Sequence, residues 1–147
     1  MQRPVLSVVA AARNDDHGGN LRGRMQAFVD GMAHTARVLE LPVELLLVEW
    51  NPPAGGVPLA DALAWPEDGG LSIRIVTVPA TVHEALPNAD RIRLHQMLAK
   101  NVGIRRAQGA FVLVTNVDVL CSDALTASLA RTALEPGRLA LAVRHDL

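Results

Sequence analysis

The stretch that decides the fold runs from residue 99 to residue 123 and reads AKNVGIRRAQGAFVLVTNVDVLCSD. It joins the end of a helix, a strand and a polar loop. Gly109 is typical of a helix C-terminus, and the apolar run over residues 110–115 has the composition of a strand covered on both faces. In open α/β sheets, ligands bind outside the carboxyl ends of the strands. The stretch therefore predicts a parallel sheet whose binding edge begins near Asn116.

The helix before this strand is predicted to begin at Ala89. Its apolar residues fall on one stripe at helical spacing. They are Leu94, Met97, Leu98, Val102 and Ile104. Asn101 lies within the stripe, where a polar amide must find partners or cost about 1–3 kcal/mol. Asn101 is therefore expected to bond to the backbone of a neighbouring loop and fix its shape. The alternative is a core amide whose hydrogen bonds are satisfied and whose role is only structural.

Asn116 and Asp118 follow the predicted strand at positions i and i+2. Their side-chain oxygens can both reach a hard cation that keeps waters and shares phosphate oxygens. The same spacing is also common in turns and in helix caps. The pair alone therefore leaves a metal site and a turn as two open interpretations.

Three apolar runs upstream predict strands over residues 5–12, 43–48 and 72–78. Between the first two lies the clearest amphipathic helix, with Asn20 as its expected N-cap and Pro42 at its exit. Two parallel strands joined by one helix form a right-handed βαβ unit. A short helix is expected over residues 58–64, and residues 79–88 are expected to form a loop.

Downstream of the strand, a helix is expected over residues 123–133 and a last strand over residues 139–143. This order of elements predicts the α/β class, with a Rossmann-like, mostly parallel sheet and helices on both faces. A chain of 147 residues has the size of one domain. We therefore interpret residues 1–147 as a single domain.

Composition argues against several function classes. The chain has 14 basic and 15 acidic side chains and a formal net charge of −1, which does not suit an electrostatic nucleic-acid binder. No apolar segment approaches the roughly 20 residues that a membrane helix needs. Cys121 is the only cysteine, so an internal disulfide cannot form and a reducing compartment fits. The sequence thus predicts a soluble, cytoplasmic protein without a membrane span.

Several positions around the deciding strand match a known pattern, namely Ala99, Lys100, Asn101, Gly103, Ile104, Ala107, Gly109, Asn116 and Asp118. The block resembles that of family 2 glycosyltransferases, which have the GT-A fold. In that family a D-x-D motif holds a divalent metal on the diphosphate of a nucleotide sugar. The resemblance implies that Asp118, at the second position of the motif, binds Mn²⁺ or Mg²⁺. Asn116 replaces the first aspartate, which implies a weaker or water-mediated ligand there.

The resemblance also implies a nucleotide pocket at the ends of the other strands. Asn14 resembles the Asn of a pocket-lining turn after the first strand, where Arg13 replaces an aromatic residue of the family. Arg13 can donate two bonds to a diphosphate, or it can pair with the acidic residues that follow it. Glu49 stands where the family has an acidic residue that contacts the base or ribose, and a strand-end ion pair is its alternative role. Lys100 and Asn116 complete the expected nucleotide-binding set.

The function implied by the resemblance is inverting glycosyl transfer from a nucleotide-diphosphate sugar to an acceptor that the sequence does not identify. In the family, the catalytic base and the acceptor-binding part follow the point where this sequence stops, so no catalytic residue is assigned and that part is expected to be lacking. The alternative is a non-catalytic nucleotide-binding or protein-interaction module with a truncated GT-A fold. Apolar surface around residues 139–147 is expected to be exposed and to promote self-association.

Overall fold

The computed structural model describes residues 3–67, 70–131 and 135–143. In chain order the elements are β1 (Leu6–Ala12), α1 (Leu21–Leu39), β2 (Val43–Trp50), α2 (Leu59–Ala62), β3 (Leu71–Val78), α3 (Ala80–Glu84), α4 (Gln96–Ile104), β4 (Phe111–Val114) and α5 (Asp123–Arg131). The strands form one parallel sheet in the order β3-β2-β1-β4. This architecture confirms the predicted α/β class and the Rossmann-like sheet with helices on both faces.

The larger core lies between the sheet and α1. Every residue of β1 and β2 is buried, as expected for central parallel strands with continuous apolar sequences. The 19-residue α1 lays its apolar stripe, which includes Met25, Phe28 and Met32, against this face. Burying one side chain of this size contributes about 1.5–3 kcal/mol. The α1 layer is therefore the main source of hydrophobic stability.

The opposite face of the sheet is covered by α4, which is only 9 residues long. Its buried residues are the small Ala99 and Gly103. An added Cβ at Gly103 would lie 2.4 Å from Val9 Cγ1 and 3.2 Å from Val48 Cγ2. The helix therefore packs so closely on β1 and β2 that no side chain fits between them at this position.

The predicted inward stripe is therefore right only for Leu94 and Val102, which are partly buried against the core on this face, and wrong for its other three residues. Met97 is 72% exposed, and Leu98 and Ile104 are exposed as well. Asn101 also lies on the exposed side and not within a buried stripe. Large apolar side chains would hold the helix away from the sheet, so the small residues occupy the inward positions.

Gly103→Ala is expected to lower the free energy of unfolding by about 1–3 kcal/mol, the usual cost of overpacking. This loss should outweigh the gain of about 1 kcal/mol in helix propensity that Ala brings over Gly. The matched control is Asn101→Ala, which changes propensity at an exposed position of the same helix. Urea unfolding of the three proteins measures both effects, and a stabilised Gly103→Ala protein would contradict the close packing.

Two predicted helix starts need correction. The long helix begins at Gln96 and not at Ala89, because turns occupy the residues between, and the predicted loop over residues 79–88 contains α3. Asn20 stands at the start of α1, but its φ of 46° is left-handed and its side chain makes no capping bond. The Leu21 N–H instead donates to Asp16 Oδ1 at 3.0 Å.

The strand β4 is covered on one face only, which corrects the prediction of coverage on both. Phe111 and Leu113 pack against the α1 core, whereas Val112 and Val114 are exposed. The reason is that the short α4 lies mainly over β1 and β2. β4 is therefore an edge strand with one open apolar face.

The predicted last strand over residues 139–143 is wrong, since this segment has no regular secondary structure. Its Leu139, Leu141 and Val143 are exposed, as predicted for apolar surface in this region. The end of the helix predicted to reach residue 133, and the last residues of the chain, lie outside the described residues. Within the described part of the chain, no helix combines the length and apolar character needed to cross a membrane.

Candidate functional site

The strand order places a switch point between β1 and β4. From β1 the chain crosses one face of the sheet through α1 to reach β2. From β3 it crosses the other face through α4 to reach β4 on the far side of β1. Sheets of this kind bind ligands at such a point, outside the carboxyl ends of the strands. The predicted residues Asn14, Asn116 and Asp118 lie in the two loops that flank it.

The amide oxygen of Asn116 is held by two donors from α4. Lys100 Nζ and Gln96 Nε2 each lie 2.7 Å from Asn116 Oδ1. A lysine ammonium only donates, so the atom that it contacts must be the oxygen, and this fixes the orientation of the amide. No described residue accepts a bond from Asn116 Nδ2. The group that Asn116 can still offer to a ligand is therefore a donor.

Lys100 is partly buried and lies one helical turn after Gln96. Burial lowers the pKa of Lys100. Among the described residues its hydrogen-bond partner is the neutral amide of Asn116. Partial desolvation strengthens the Coulomb attraction of such an ammonium for an anion.

Arg24 links the loop after β1 to the loop after β4. Its Nη1 donates to Asp118 Oδ2 at 3.0 Å, and its Nε and Nη2 donate to the backbone carbonyls of His17 and Gly19. The side chains of Arg24 and Asp118 are 34% and 39% exposed, so the pair adds little stability and both partners are accessible. One guanidinium group therefore spans the switch point.

Arg13 and Asn14 hold neighbouring loops together. Arg13 Nε donates to the carbonyl of Asn51 at 2.6 Å, and its Nη1 pairs with Asp15 at 2.5 Å. Asn14 Nδ2 donates to the carbonyl of Val57 at 2.8 Å. These bonds join the loop after β1 to the loop after β2. Of the two roles expected for Arg13, the structure shows the ion pair with a nearby acidic residue, Asp15.

Glu49 lies near the end of β2 and is 2% exposed. Its Oε1 accepts a bond from the Leu59 N–H at 2.9 Å, and its Oε2 accepts one from the Thr77 hydroxyl at 3.1 Å. These bonds fasten α2 and β3 to β2. Because Glu49 is almost completely buried, a nucleotide could contact this carboxylate only if neighbouring residues moved.

The predicted cation has a poor donor set at this edge of the sheet. Mn²⁺ and Mg²⁺ need several oxygen ligands, usually including carboxylates. Within residues 3–67, 70–131 and 135–143, no group of three or more His, Cys, Asp or Glu could hold a metal ion. Asn116 Oδ1 already accepts a bond from a cation, and Asp118 is paired with Arg24. The residues present therefore fit an anion better than a divalent metal.

The sequence interpretation named Lys100, Asn116 and Asp118, which the structure places at one edge of the sheet, but it did not name their partners Arg24 and Gln96. Arg24 belongs to the polar side of an amphipathic helix, where an arginine is ordinary. Its contact partner Asp118 lies 94 residues further along the chain, so no local sequence pattern indicates the contact. For Gln96, the spacing of four residues to Lys100 was the available signal, because such residues share a helix face.

Comparisons with protein-family models, with characterised proteins and with solved structures found no match for this chain. The resemblance to family 2 glycosyltransferases and the metal that it implies therefore stay predictions. What the chain binds has to be inferred from the chemistry of the switch point itself.

Proposed function

We propose that this protein binds a nucleotide-diphosphate sugar at the switch point between β1 and β4, as a glycosyltransferase-like domain. The observation that carries the proposal is the arrival of two basic side chains at one loop from opposite faces of the sheet. Lys100 comes from α4 and contacts Asn116, and Arg24 comes from α1 and contacts Asp118. Guanidinium, ammonium and amide donors together form a good set for phosphate oxygens.

In glycosyl transfer from such a donor, the departing diphosphate gains negative charge in the transition state. Positive groups that are already in place stabilise this charge at little cost in reorganisation. Lys100 and Arg24 would do this work at the proposed phosphate position. The acceptor hydroxyl also needs a general base, and we assign none among the described residues.

A second candidate is the non-catalytic nucleotide-binding or protein-interaction module. The observation that favours it is the engagement of the two carboxylates in the predicted site. Glu49 accepts internal bonds on both oxygens, and Asp118 is paired with Arg24. General-base assistance is worth about 10²–10⁴ in rate, so a domain without a free base would turn its ligand over slowly.

A nucleoside diphosphate is expected to raise the melting temperature of the protein by several degrees. A ligand at about 100 times its dissociation constant adds roughly 2.7 kcal/mol, which gives a shift of this size in a domain of this length. Uridine, guanosine and thymidine diphosphates should be compared with the same nucleosides without phosphate as controls. If no diphosphate stabilises the protein beyond its nucleoside, the proposed function is wrong.

Turnover then separates the two candidates. A panel of nucleotide sugars is incubated with the protein, and release of the nucleoside diphosphate is measured with and without simple sugar acceptors. Turnover well above the spontaneous rate would favour the glycosyltransferase. Stabilisation by a nucleoside diphosphate without turnover would favour the non-catalytic module.

A further inference from the structure

The two positions that resemble a metal-binding motif each contact a basic side chain. We propose that this site binds a diphosphate without a divalent cation, because Lys100 at Asn116 and Arg24 at Asp118 supply the positive charge that a metal would supply. The inference rests on the proposed function and deepens it, since it states how the phosphates are held. It also replaces the Mn²⁺ or Mg²⁺ expected from the resemblance.

The first argument is the contact between Lys100 and Asn116. Lys100 Nζ lies 2.7 Å from Asn116 Oδ1. A divalent cation on the same oxygen would sit about 2.0–2.6 Å from it, which is close enough to the ammonium for strong repulsion. A phosphate oxygen, in contrast, is attracted to the Lys100 ammonium. It can bond to the Lys100 ammonium and also to Asn116 Nδ2, which donates to none of the described residues.

The second argument is the way in which Arg24 is anchored. Its Nε and Nη2 bond to the carbonyls of His17 and Gly19, so only Nη1 is used for Asp118. The backbone bonds keep the positive charge at the switch point when Nη1 changes its partner. A phosphate oxygen can therefore take the place of the Asp118 carboxylate while the guanidinium stays where it is.

The third argument is the charge of Lys100 itself. Among the described residues its hydrogen-bond partner is the neutral amide of Asn116, so this ammonium has no anionic partner there. A bound phosphate would provide that partner. The ammonium of Lys100 therefore favours an anion at this position over a further cation.

The test is a calorimetric titration of the full chain with inorganic pyrophosphate, once in EDTA and once with Mg²⁺ or Mn²⁺. Pyrophosphate probes the phosphate position separately from recognition of a nucleoside. The dissociation constant in EDTA is expected to stay within about threefold of the value with metal, a small difference on the scale of binding energies. Binding that requires the cation would overturn the proposal.

Variants identify the side chain responsible. Lys100→Met keeps most of the length of the side chain, removes its charge and should weaken pyrophosphate binding in EDTA about tenfold or more. Lys100→Arg should retain most of the affinity. Arg105→Gln removes a positive charge at the other end of α4 and serves as the matched control, with no expected change. A folded Lys100→Met protein that binds pyrophosphate like the parent would overturn the proposal.

The outcomes also separate this inference from the proposed function. Pyrophosphate binding in EDTA without any gain from an attached nucleoside would support the metal-independent site and contradict nucleotide recognition. A nucleoside diphosphate that binds only with Mn²⁺ or Mg²⁺ would support the proposed function and overturn the inference. Failure of both ligands to bind under either condition would overturn both.

Discussion

Glu44→Ala is expected to lower the free energy of unfolding by about 3–5 kcal/mol. Glu44 is 1% exposed on β2, and its carboxylate accepts bonds from the Ser7 hydroxyl, the Arg74 guanidinium and the Gln108 N–H. Removal of the carboxylate leaves these donors without their acceptor and leaves a cavity beside the sheet. Since Arg74 is partly exposed and can be hydrated, the lower end of the range is expected.

The effect is large because Glu44 joins parts of the chain that are far apart in sequence. Through Ser7 and Arg74 it connects β2 to both of its neighbouring strands, and through Gln108 it fixes the approach to β4. The Gly109 N–H donates in turn to Ser7 Oγ at 2.8 Å. Urea unfolding measures the loss, with the exposed Glu84→Ala as a charge-matched control that should stay within about 0.5 kcal/mol of the parent.

The same network predicts a dependence on pH. Burial by itself raises the pKa of Glu44, but the bonds from Ser7, Gln108 and Arg74 outweigh it, and the pKa lies below the ordinary value of 4.5. The folded state therefore has the lower pKa, so the contribution is fully present above the unfolded value and is lost as the pH falls through the folded one. The stability difference between the parent and Glu44→Ala should shrink as the pH falls below 4.5. A difference that does not change with pH would contradict this account.

Trp50→Ala is expected to lower the free energy of unfolding by about 3–5 kcal/mol. Trp50 ends β2, is buried in the smaller core on the α4 face and donates its indole N–H to His83 Nδ1 at 2.9 Å. The ring also meets His83 and His95 edge to face, at centroid distances of 6.2 Å and 6.1 Å. Its loss would open a cavity and leave a buried nitrogen without a donor.

Trp50→Phe separates the two causes, because it keeps most of the aromatic volume and removes the N–H. The unpaired His83 Nδ1 should then cost about 1–3 kcal/mol on its own. In the parent, His83 Nε2 bonds to the carbonyl of Ala89 at 3.0 Å, so it carries the ring proton while Nδ1 accepts from the indole. Nitrogen chemical shifts should show this tautomer in the parent. A Trp50→Phe protein as stable as the parent would show that the hydrogen bond between Trp50 and His83 does not contribute to stability.

The success of the sequence interpretation depended on how local each signal is. β1 and β2 were predictable because a strand buried on both faces must be apolar throughout. The inward face of α4 was not, because the distance between helix and sheet decides whether Met97 or Gly103 can face inward, and that distance is a property of the whole fold. β4 looked like a central strand for the same reason, since its sequence does not reveal how far α4 extends.

The same distinction between local and long-range signals applies to the residues of the candidate site. The end of a strand marked Asn116 and Asp118 as edge residues, and this placement needs only the order of elements. Asn14 and Glu49 have partners from loops and strands elsewhere in the chain, and so does Arg13 through the Asn51 carbonyl, although its pairing with Asp15 is local and was one of the predicted alternatives. Sequence alone could not tell such satisfied groups from groups that are free to bind a ligand.

Because α4 has few buried apolar contacts, the part of the candidate site that it carries can open separately from the rest of the fold. Regions with few buried apolar contacts open locally at a lower free energy than the global core. The fully buried residues of α4 are small, Ala99 and Gly103, whereas α1 buries a long stripe of large ones. Lys100 and Gln96 belong to the weaker layer. Detachment of α4 would therefore remove Lys100 and Gln96 from the proposed site while the sheet and α1 stay folded. The fraction of molecules with a complete proposed site can then be smaller than the fraction that is folded.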